Sequence, residues 1–383
     1  MANQNEIFYR LRIPWVRVLV ENGYEVFAIV PNGAWNKYIE ASGAKCIEWK
    51  LSRSGRNPIT EVNSVLRLAR ILRRTKPDIV QNFHTKPNIY APIAAKLAGI
   101  PLTVSTVTGL GYTFVERSGL GSYIARRLNI GMYWIANRLA NQITFQNPDD
   151  MHLLRNSGGL TETKGRFIRG GSGVDLSEYS PNSRNSPESH ELRHSLSIDP
   201  DAFVVMLVGR LQTDKGLFEF VQAADSLSKR RKDIVFVMVG APDPGNKRSL
   251  LNSTLSKWKS QKRVIFTGRR EDVPNLMAIS DVIVTPTFYR EGLPRTLLEG
   301  AATGLPLIGT DVPGVREAIS DGINGTLIPA HDSFALAQAI EDLADDPGKC
   351  QRYGKASLER AKSEFDHRRV IGEYMKMYEE MWN

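Results

Sequence analysis

Apolar residues recur along this chain in two rhythms, a helical spacing of about three to four residues and short unbroken runs rich in Val and Ile. Pro14 to Asn22 shows the first rhythm and stops at Gly23, and Glu25 to Val30 shows the second and is stopped by Pro31, Asn32 and Gly33. The spacing then predicts a helix over Ile59 to Thr75, a strand over Asp78 to Asn82 after Pro77, a helix over Asn88 to Leu97 closed by Gly99, and a strand over Leu102 to Thr106. Between Ser180 and His194 the rhythm fails in a stretch rich in Ser, Pro, Asn and Arg, which reads as a linker. Beyond it the alternation resumes, with strands over Phe203 to Val208, Ile234 to Val239, Val264 to Thr267, Val282 to Thr285, Leu307 to Gly309 and Gly325 to Ile328.

Strands and helices that alternate in this way build parallel sheets covered on both faces. The expected architecture is α/β, two doubly wound Rossmann-like domains facing across a cleft, with ligands at the carboxyl ends of the strands. The expected divisions are 1–183, 195–362 and a C-terminal helix over 363–383. At 383 residues each domain has enough chain for its own core. One end departs from the pattern. A doubly wound domain opens on a buried strand and a Gly-rich turn, whereas Met1 to Ile7 is short and polar. Either the true start lies upstream or the N-terminal sheet lacks its first strand, so that strand is expected to be absent.

Composition narrows the classes. The two cysteines, Cys46 and Cys350, are far apart and form no metal-ligand spacing, which excludes a disulfide framework and points to a reducing cytosol. No apolar run approaches the roughly 18 residues of a membrane span, and the N-terminus does not read as an export signal. The net charge of +9 is unevenly placed: residues 1–170 hold 23 Lys and Arg against 11 Asp and Glu, and the remainder is slightly acidic. A basic first half fits anionic lipid or a phosphorylated substrate as well as nucleic acid; no nucleic-acid partner is expected.

The densest candidate chemistry runs from Phe288 to Glu299. Gly292 and Pro294 mark a turn after a strand, and a helix is expected from Thr296, so free backbone N–H groups and the positive end of a helix face a common point, an arrangement that suits phosphate. Glu299, about one turn into that helix, is placed to accept hydrogen bonds from a ribose, and Glu291 to face a sugar beyond the phosphates. A surface loop with two solvated glutamates is the competing reading. A second cluster, Val208 to Gly216, carries Arg210 and Lys215 on a Gly-bounded loop after another strand. A guanidinium and an ammonium converging there suit a diphosphate leaving group.

Gly209-Arg210, Asp214 to Gly216, Thr267 to Arg269, Glu291 to Pro294, Glu299 to Ala302, Gly304 to Pro306 and Pro313 to Glu317 resemble, in order and spacing, the C-terminal half of glycosyltransferase family 4. That family is retaining, has the GT-B fold and uses nucleotide sugars. Gly171 to Asp175 resembles the family's loop before the interdomain linker, and the last helix resembles the one that returns to the first domain. Asn82 to Tyr90, Ala95 to Pro101 and Val107 to Tyr112 resemble bacterial members that extend undecaprenyl-diphosphate-linked sugars, close to the N-acetylgalactosaminyltransferases.

The resemblance implies a UDP-linked HexNAc or hexose as donor and co-substrate, and a lipid-linked sugar as acceptor. It implies that Arg210 and Lys215 neutralise the diphosphate, Glu299 holds the ribose, Glu291 contacts the donor sugar, and Arg269 lies beside the base. The backbone of Gly292, Leu293, Pro294 and Arg295 would cradle phosphate. Where many members carry a His at a strand tip, this chain has Thr108 and Gly109, expected on the acceptor side, which leaves His84, at the end of the preceding strand, as the next catalytic candidate, to meet the donor or the acceptor sugar, with a satisfied structural histidine as the competing reading. No cofactor and no metal is expected, because Arg210 and Lys215 supply the charge a divalent ion would bring; Asp199 to Asp201 reads as a turn, and His152, His331 and His367 lack ligand-like spacing.

Arg67 to Lys76 and Tyr123 to Trp134, the latter after Gly119 and Gly121, combine basic with apolar or aromatic residues at helical spacing. For the first stretch an ordinary helix that buries its apolar face and solvates its charges is the favoured reading; the second suits an anionic membrane surface equally well, so a cytoplasmic protein peripheral on the inner face of the membrane through its first domain is expected. A sugar-nucleotide epimerase, a phosphorylase or a non-catalytic sugar-nucleotide-binding protein on the same architecture are the competing readings.

Overall fold

The computed structural model describes residues 1–51, 57–110, 120–181, 184, 186–243 and 245–383, without the side chains of 58, 120–122 and 125. Gly111, Tyr112 and Gly119 of the sequence motifs and residues 182, 183 and 185 of the expected linker lie outside that description. The chain forms two compact units. One comprises Met1–Gly173, Arg290–Leu293 and His367–Asn383, and the other Val174–Tyr289 and Pro294–Asp366.

In the first unit β1 (Phe27–Val30) pairs in parallel with β2 (Lys45–Glu48). A separate parallel sheet holds β3 (Ile79–Phe83), β4 (Leu102–Val107), β5 (Gln142–Phe145) and β6 (Gly165–Phe167) in chain order. Strand β4 is buried along its whole length, as expected of a parallel strand covered on both faces. Between β1 and β3 no strand is assigned. Met1 and Ala2 lie there: the Met1 amino group donates to Gln81 O, Phe83 N donates to Met1 O, and Ala2 N donates to Ile29 O.

The helix expected from Pro14 begins at Asn5 and runs through that proline to Glu21. An interior proline costs about 3 kcal/mol, but burial on two sides offsets it. Phe8, Ile13 and Val16 join the core with Ala28, Val30 and Ile39. Trp15 and Val18 pack with Phe83, Val104 and Ile168 against Val370, Ile371, Tyr374, Met377 and Tyr378 of the C-terminal helix His367–Trp382. The basic stretch from Arg67 lies in the helix Pro58–Thr75, where Leu68 and Leu72 are fully buried with Trp49, Ala91 and Ala94, and Arg73 donates to Leu97 O. Its apolar positions are therefore committed to packing within the unit.

The second unit has strands β7 (Phe203–Val208), β8 (Ile234–Val239), β9 (Val264–Gly268), β10 (Val282–Thr285), β11 (Leu307–Thr310) and β12 (Gly325–Ile328). All are parallel, in the spatial order β12-β11-β10-β7-β8-β9. The winding reverses between β7 and β10, so the loops after these two strands leave the sheet in diverging directions. Val205, Leu207, Phe220, Phe236, Val284 and Leu336 lie in its main core.

One local expectation changes here and another holds. The segment read as linker contains a helix, Pro187–Ser195, because Ser186 accepts a hydrogen bond from Ser189 N and Pro187 occupies the first turn, where its missing N–H is not needed. Asp199 to Asp201 forms a turn in which Asp201 N donates to its Asp199 Oδ1 at 2.9 Å.

At the end of β8, Gly240 has φ +143°, and a Cβ there would lie 1.8 Å from Gly209 O. Gly240→Ala is expected to lower the free energy of unfolding by about 3 kcal/mol or more. Gly322→Ala, at φ +74° with no atom within 4 Å of its would-be Cβ, should cost only about 1 kcal/mol. Urea titration of the two variants tests the difference.

Candidate functional site

The loop after β7 in the second unit carries two of the candidate cations, Arg210 and Lys215. After β7 the chain turns through Thr213–Lys215 and closes at Gly216. Arg210, half exposed, donates to Asp243 Oδ2 at 3.1 Å, and Gln212 and Asn246 donate to the same oxygen. Lys215 leans the other way, with its ammonium 6.0 Å from the Tyr289 ring, over which the Arg248 guanidinium also lies at 4.8 Å. Arg210 thus faces the β8 side of the loop and Lys215 the β10 side.

Asp214, between them, holds the loop in place. Its buried carboxylate pairs with Arg248, and its carbonyl accepts from Thr287 Oγ1 at 2.9 Å and Phe288 N at 3.2 Å. Those bonds couple the loop after β7 to the loop after β10 across the reversal in strand order. Arg269, exposed and paired with Glu271, stands after β9 on the far edge of the sheet.

The helix Arg295–Ala302 follows Pro294, one residue earlier than the expected start. Glu299 is only 6% exposed, and its carboxylate is held by Arg295 at 2.6 Å and by the Tyr179 hydroxyl. Burial pushes its pKa up, against the opposing charge of Arg295 and the hydrogen bonds from both partners. A carboxylate offers about four acceptor positions, so two partners leave capacity for a further donor.

Residues Arg290–Leu293 group with the first unit, where each neighbour is specific. Asn147 donates to the carbonyls of Glu291 at 3.1 Å and Gly292 at 2.9 Å, and its own oxygen caps the helix Pro148–Asn156 by accepting from Asp150 N. Asp150 is fully buried, pairs with Arg290 and accepts from Leu110 N. Burial raises its pKa, and Arg290 and these donors act in the opposite sense. Thr108 and Gly109, at the end of β4, lie directly on this segment. A Cβ on Gly109 would lie 2.7 Å from Gly292 N, and one on Gly292 would lie 2.6 Å from Thr108 O. Glycine at both positions lets two backbones meet. Leu293 packs beside Gly171.

His84 follows β3 with φ +73°, a conformation that side chains with a Cβ rarely adopt. Its Nδ1 is buried without a hydrogen-bond partner. Its pKa falls to about 3, first through burial and then through Arg12 and the N-terminal ammonium, so the ring is neutral near pH 7. Arg12, itself buried, donates to Ser172 Oγ at 3.1 Å and lies 3.7 Å over the Phe83 ring.

Sequence reading therefore located Arg210, Lys215, Arg269, Glu291 to Arg295 and Glu299 on strand-end loops or the helix start that follows, and His84, Thr108 and Gly109 at the ends of β3 and β4. It missed Asp243, Arg248 and Tyr289 around the cations, Tyr179 on Glu299, and Asn147, Asp150 and Arg12 in the first unit. Asn147-Pro148 is legible as a helix start, but no local signal reveals that its amide serves a segment 144 residues away.

Comparison with known proteins identifies the family and the fold. Residues 188–360 match the family described as Glycosyl transferases group 1, and residues 1–147 match Glycosyl transferase 4-like. The chain is 27% identical over 379 residues to the N,N'-diacetylbacillosaminyl-diphospho-undecaprenol alpha-1,3-N-acetylgalactosaminyltransferase of Campylobacter jejuni, covering 99% of this chain and 97% of that protein. It is 28% identical over 290 residues to the UDP-Gal:alpha-D-GlcNAc-diphosphoundecaprenol alpha-1,3-galactosyltransferase of Escherichia coli, covering 75% and 72% of the two chains. Among solved structures, Anabaena Alr3699/HepE in complex with UDP-glucose superposes with a TM-score of 0.80 at 19% identity, covering 97% of this chain and 96% of that one. WaaG, a glycosyltransferase involved in lipopolysaccharide biosynthesis, superposes with a TM-score of 0.72 at 18% identity, covering 96% and 95%.

The neutral His84 makes stability depend on acid. Unfolded histidine binds a proton near pH 6.5, which the folded ring refuses until about pH 3, so His84 contributes stability that is fully present above pH 6.5 and lost as pH falls through that window. Replacing it by Asn is expected to remove up to one proton from the linkage, or about 1.4 kcal/mol per pH unit. Urea titrations of both proteins between pH 7 and pH 4 measure that change in slope.

Proposed function

The chain belongs to the group 1 glycosyltransferases of family 4, with the GT-B fold, and from that premise we propose that it moves a sugar, as a HexNAc, from a UDP-sugar to a polyprenyl-diphosphate-linked saccharide with retention at the anomeric carbon. The observation that carries the donor half is the pair of loops at the strand reversal, where Arg210 and Lys215 stand on one loop and Asp214 ties it to the next. The acceptor half rests on the two relatives whose names specify undecaprenyl-diphosphate-linked sugars.

In this reading the bond between the anomeric carbon and the UDP oxygen breaks as the acceptor hydroxyl bonds to the same face of that carbon. The hydroxyl proton passes to a phosphate oxygen of the departing UDP. Negative charge grows on the diphosphate, and Arg210 and Lys215 stabilise it, with Asp243 and Tyr289 orienting them. Such a reaction asks the protein for positioning and charge and does not call for a divalent ion. Glu299 takes the ribose hydroxyls, Arg269 lies beside the base, Glu291 contacts the donor sugar, and the backbone of Gly292 to Arg295 lines the phosphates. His84, Thr108 and Gly109 are assigned to the acceptor side, where a neutral imidazole serves as a hydrogen-bonding group rather than a cation.

The acceptor's lipid calls for a membrane surface, and we assign it to the helix Leu120–Leu139. That helix exposes Tyr123, Ile124, Leu128, Met132, Trp134 and Ile135, and Arg138 lies 4.3 Å over the Trp134 ring. Aromatic and aliphatic side chains beside arginines suit the headgroup level of an anionic bilayer on its cytoplasmic face. Among the described residues no helix is long and apolar enough to cross a membrane.

Radiolabel from a panel of UDP-sugars, in EDTA, should appear on a polyprenyl-diphosphate sugar. Lys215→Ala is expected to reduce that transfer by at least about a hundredfold with unfolding unchanged, and Glu299→Ala to weaken UDP binding by about tenfold or more. Epimerised free nucleotide sugar, UDP binding without turnover, or near-normal activity in both variants would each defeat the reading. In flotation assays the protein should follow vesicles containing anionic phospholipid and not zwitterionic ones, and the double change Leu128→Glu with Trp134→Glu should abolish the association. Equal recovery with both vesicle types would remove the membrane assignment.

A further inference from the structure

The segment Thr287–Tyr289, which opens the Phe288 to Glu299 run, is held from more than the β7 side. Thr310 Oγ1, at the end of β11, donates to Thr287 O. A further contact comes from His331, in the loop between β12 and the helix Ser333–Asp345. Its ring centroid lies 4.1 Å from that of Phe288, and its Nδ1 lies 3.2 Å from Glu219 Oε1. Glu219 stands in the first turn of the helix Leu217–Leu227, which begins immediately after Lys215 and Gly216.

The backbone at His331 has φ +63°, in the left-handed region that favours glycine, so a side chain is held there at a cost in strain. That side chain is 61% exposed, and its own burial does little to offset the strain. Glu219 is in the opposite situation. Only 13% of its side chain is exposed, and its Oε2 is buried without a hydrogen-bond partner among the described residues. A buried carboxylate short of partners is costly. Because a carboxylate can only accept, His331 Nδ1 carries the proton of their bond. Glu219 thereby fixes the orientation of the imidazole, and the imidazole lies against Phe288.

We propose that His331 is a positioning residue for the donor loops, acting through Phe288 on Tyr289 and Lys215. The Lys215 ammonium lies 6.0 Å from the Tyr289 ring, Tyr289 follows Phe288 directly, and Glu219 stands one helical turn beyond Lys215. His331 closes that circuit from the β12 side, so the loops after β7 and β10 separate only if its hydrogen bond or its ring contact breaks. The role rests on the donor reading of Arg210 and Lys215, whereas the contacts themselves do not.

His331→Gly, Glu219→Ala and the double variant of the full chain test it. Glycine relieves the backbone while removing both contacts, so Tm should change little. Exchange at the Phe288 and Tyr289 amides, which donate to Asp214 O and Thr287 Oγ1, should quicken by about tenfold or more, and the Kd for UDP should rise about fivefold. Glu219→Ala frees the ring and should give part of both effects, and the double variant should bind UDP no more weakly than His331→Gly, because the two side chains act as one unit. His331→Asn suits the same backbone and keeps an amide donor toward Glu219, so it should recover part of the UDP affinity. A fall in Tm with exchange and UDP affinity unchanged would make His331 a merely structural residue and overturn the proposal, as would faster exchange with UDP affinity unchanged. Absence of UDP binding by the unaltered protein would defeat the donor reading and with it the role given to His331; UDP binding shared equally by all the variants would overturn the proposal alone.

Discussion

The reversal of strand order between β10 and β7 is the constraint on which the second unit's chemistry depends. Parallel strands bring all their carboxyl ends to one edge, and only at a reversal do adjacent connections diverge and leave that edge open. The two loops there carry Arg210, Lys215 and the start of the Phe288 to Glu299 run. Without a tie between them their cations would sample many positions. Asp214 supplies the tie, because one residue gives its carboxylate to Arg248 and its carbonyl to Thr287 and Phe288. Arg248 in turn lies over Tyr289, so the ring beside Lys215 is held from its other neighbour as well.

The first unit solves a different problem, which is how to fix a short piece of backbone that lies outside its strands and helices. Arg290–Leu293 includes a glycine, and it is fixed through its carbonyls by Asn147, through a buried ion pair to Asp150, and through contact of Gly292 with Thr108 and Gly109. A buried carboxylate such as Asp150 is tolerated only with partners, and Arg290, Leu110 N and Asn147 provide them. A side chain at either glycine would separate the backbones and release these bonds together.

Much of this was legible in order along the chain. Short apolar runs mark the six strands of the second unit to within a residue or so, because parallel strands covered on both faces are largely apolar. Glycines and charged residues immediately after those runs marked the loops. The failures share a cause. The sequence pattern places the start of the first helix at Pro14 rather than Asn5, since a proline is a strong local signal and the burial of Phe8 ahead of it is a tertiary fact. The helix Pro187–Ser195 is hidden by its polarity, whereas the stretch from Arg67 buries Leu68 and Leu72 as an ordinary amphipathic helix should.

By itself the sequence determined the alternation of strand and helix, the places where phosphate-compatible loops follow strands, and the family to which those motifs belong, because periodicity, turn chemistry and motif spacing are local properties. Tertiary structure alone decided which charges are spoken for. Arg210 goes to Asp243, Glu299 meets Tyr179, and Arg290 goes to Asp150. It also decided that His84 is neutral and that Met1 and Ala2 occupy the line between β1 and β3. Desolvation and pairing depend on what folding brings within a few ångströms, and residues 33 or 140 positions apart carry no mark of that meeting in the chain.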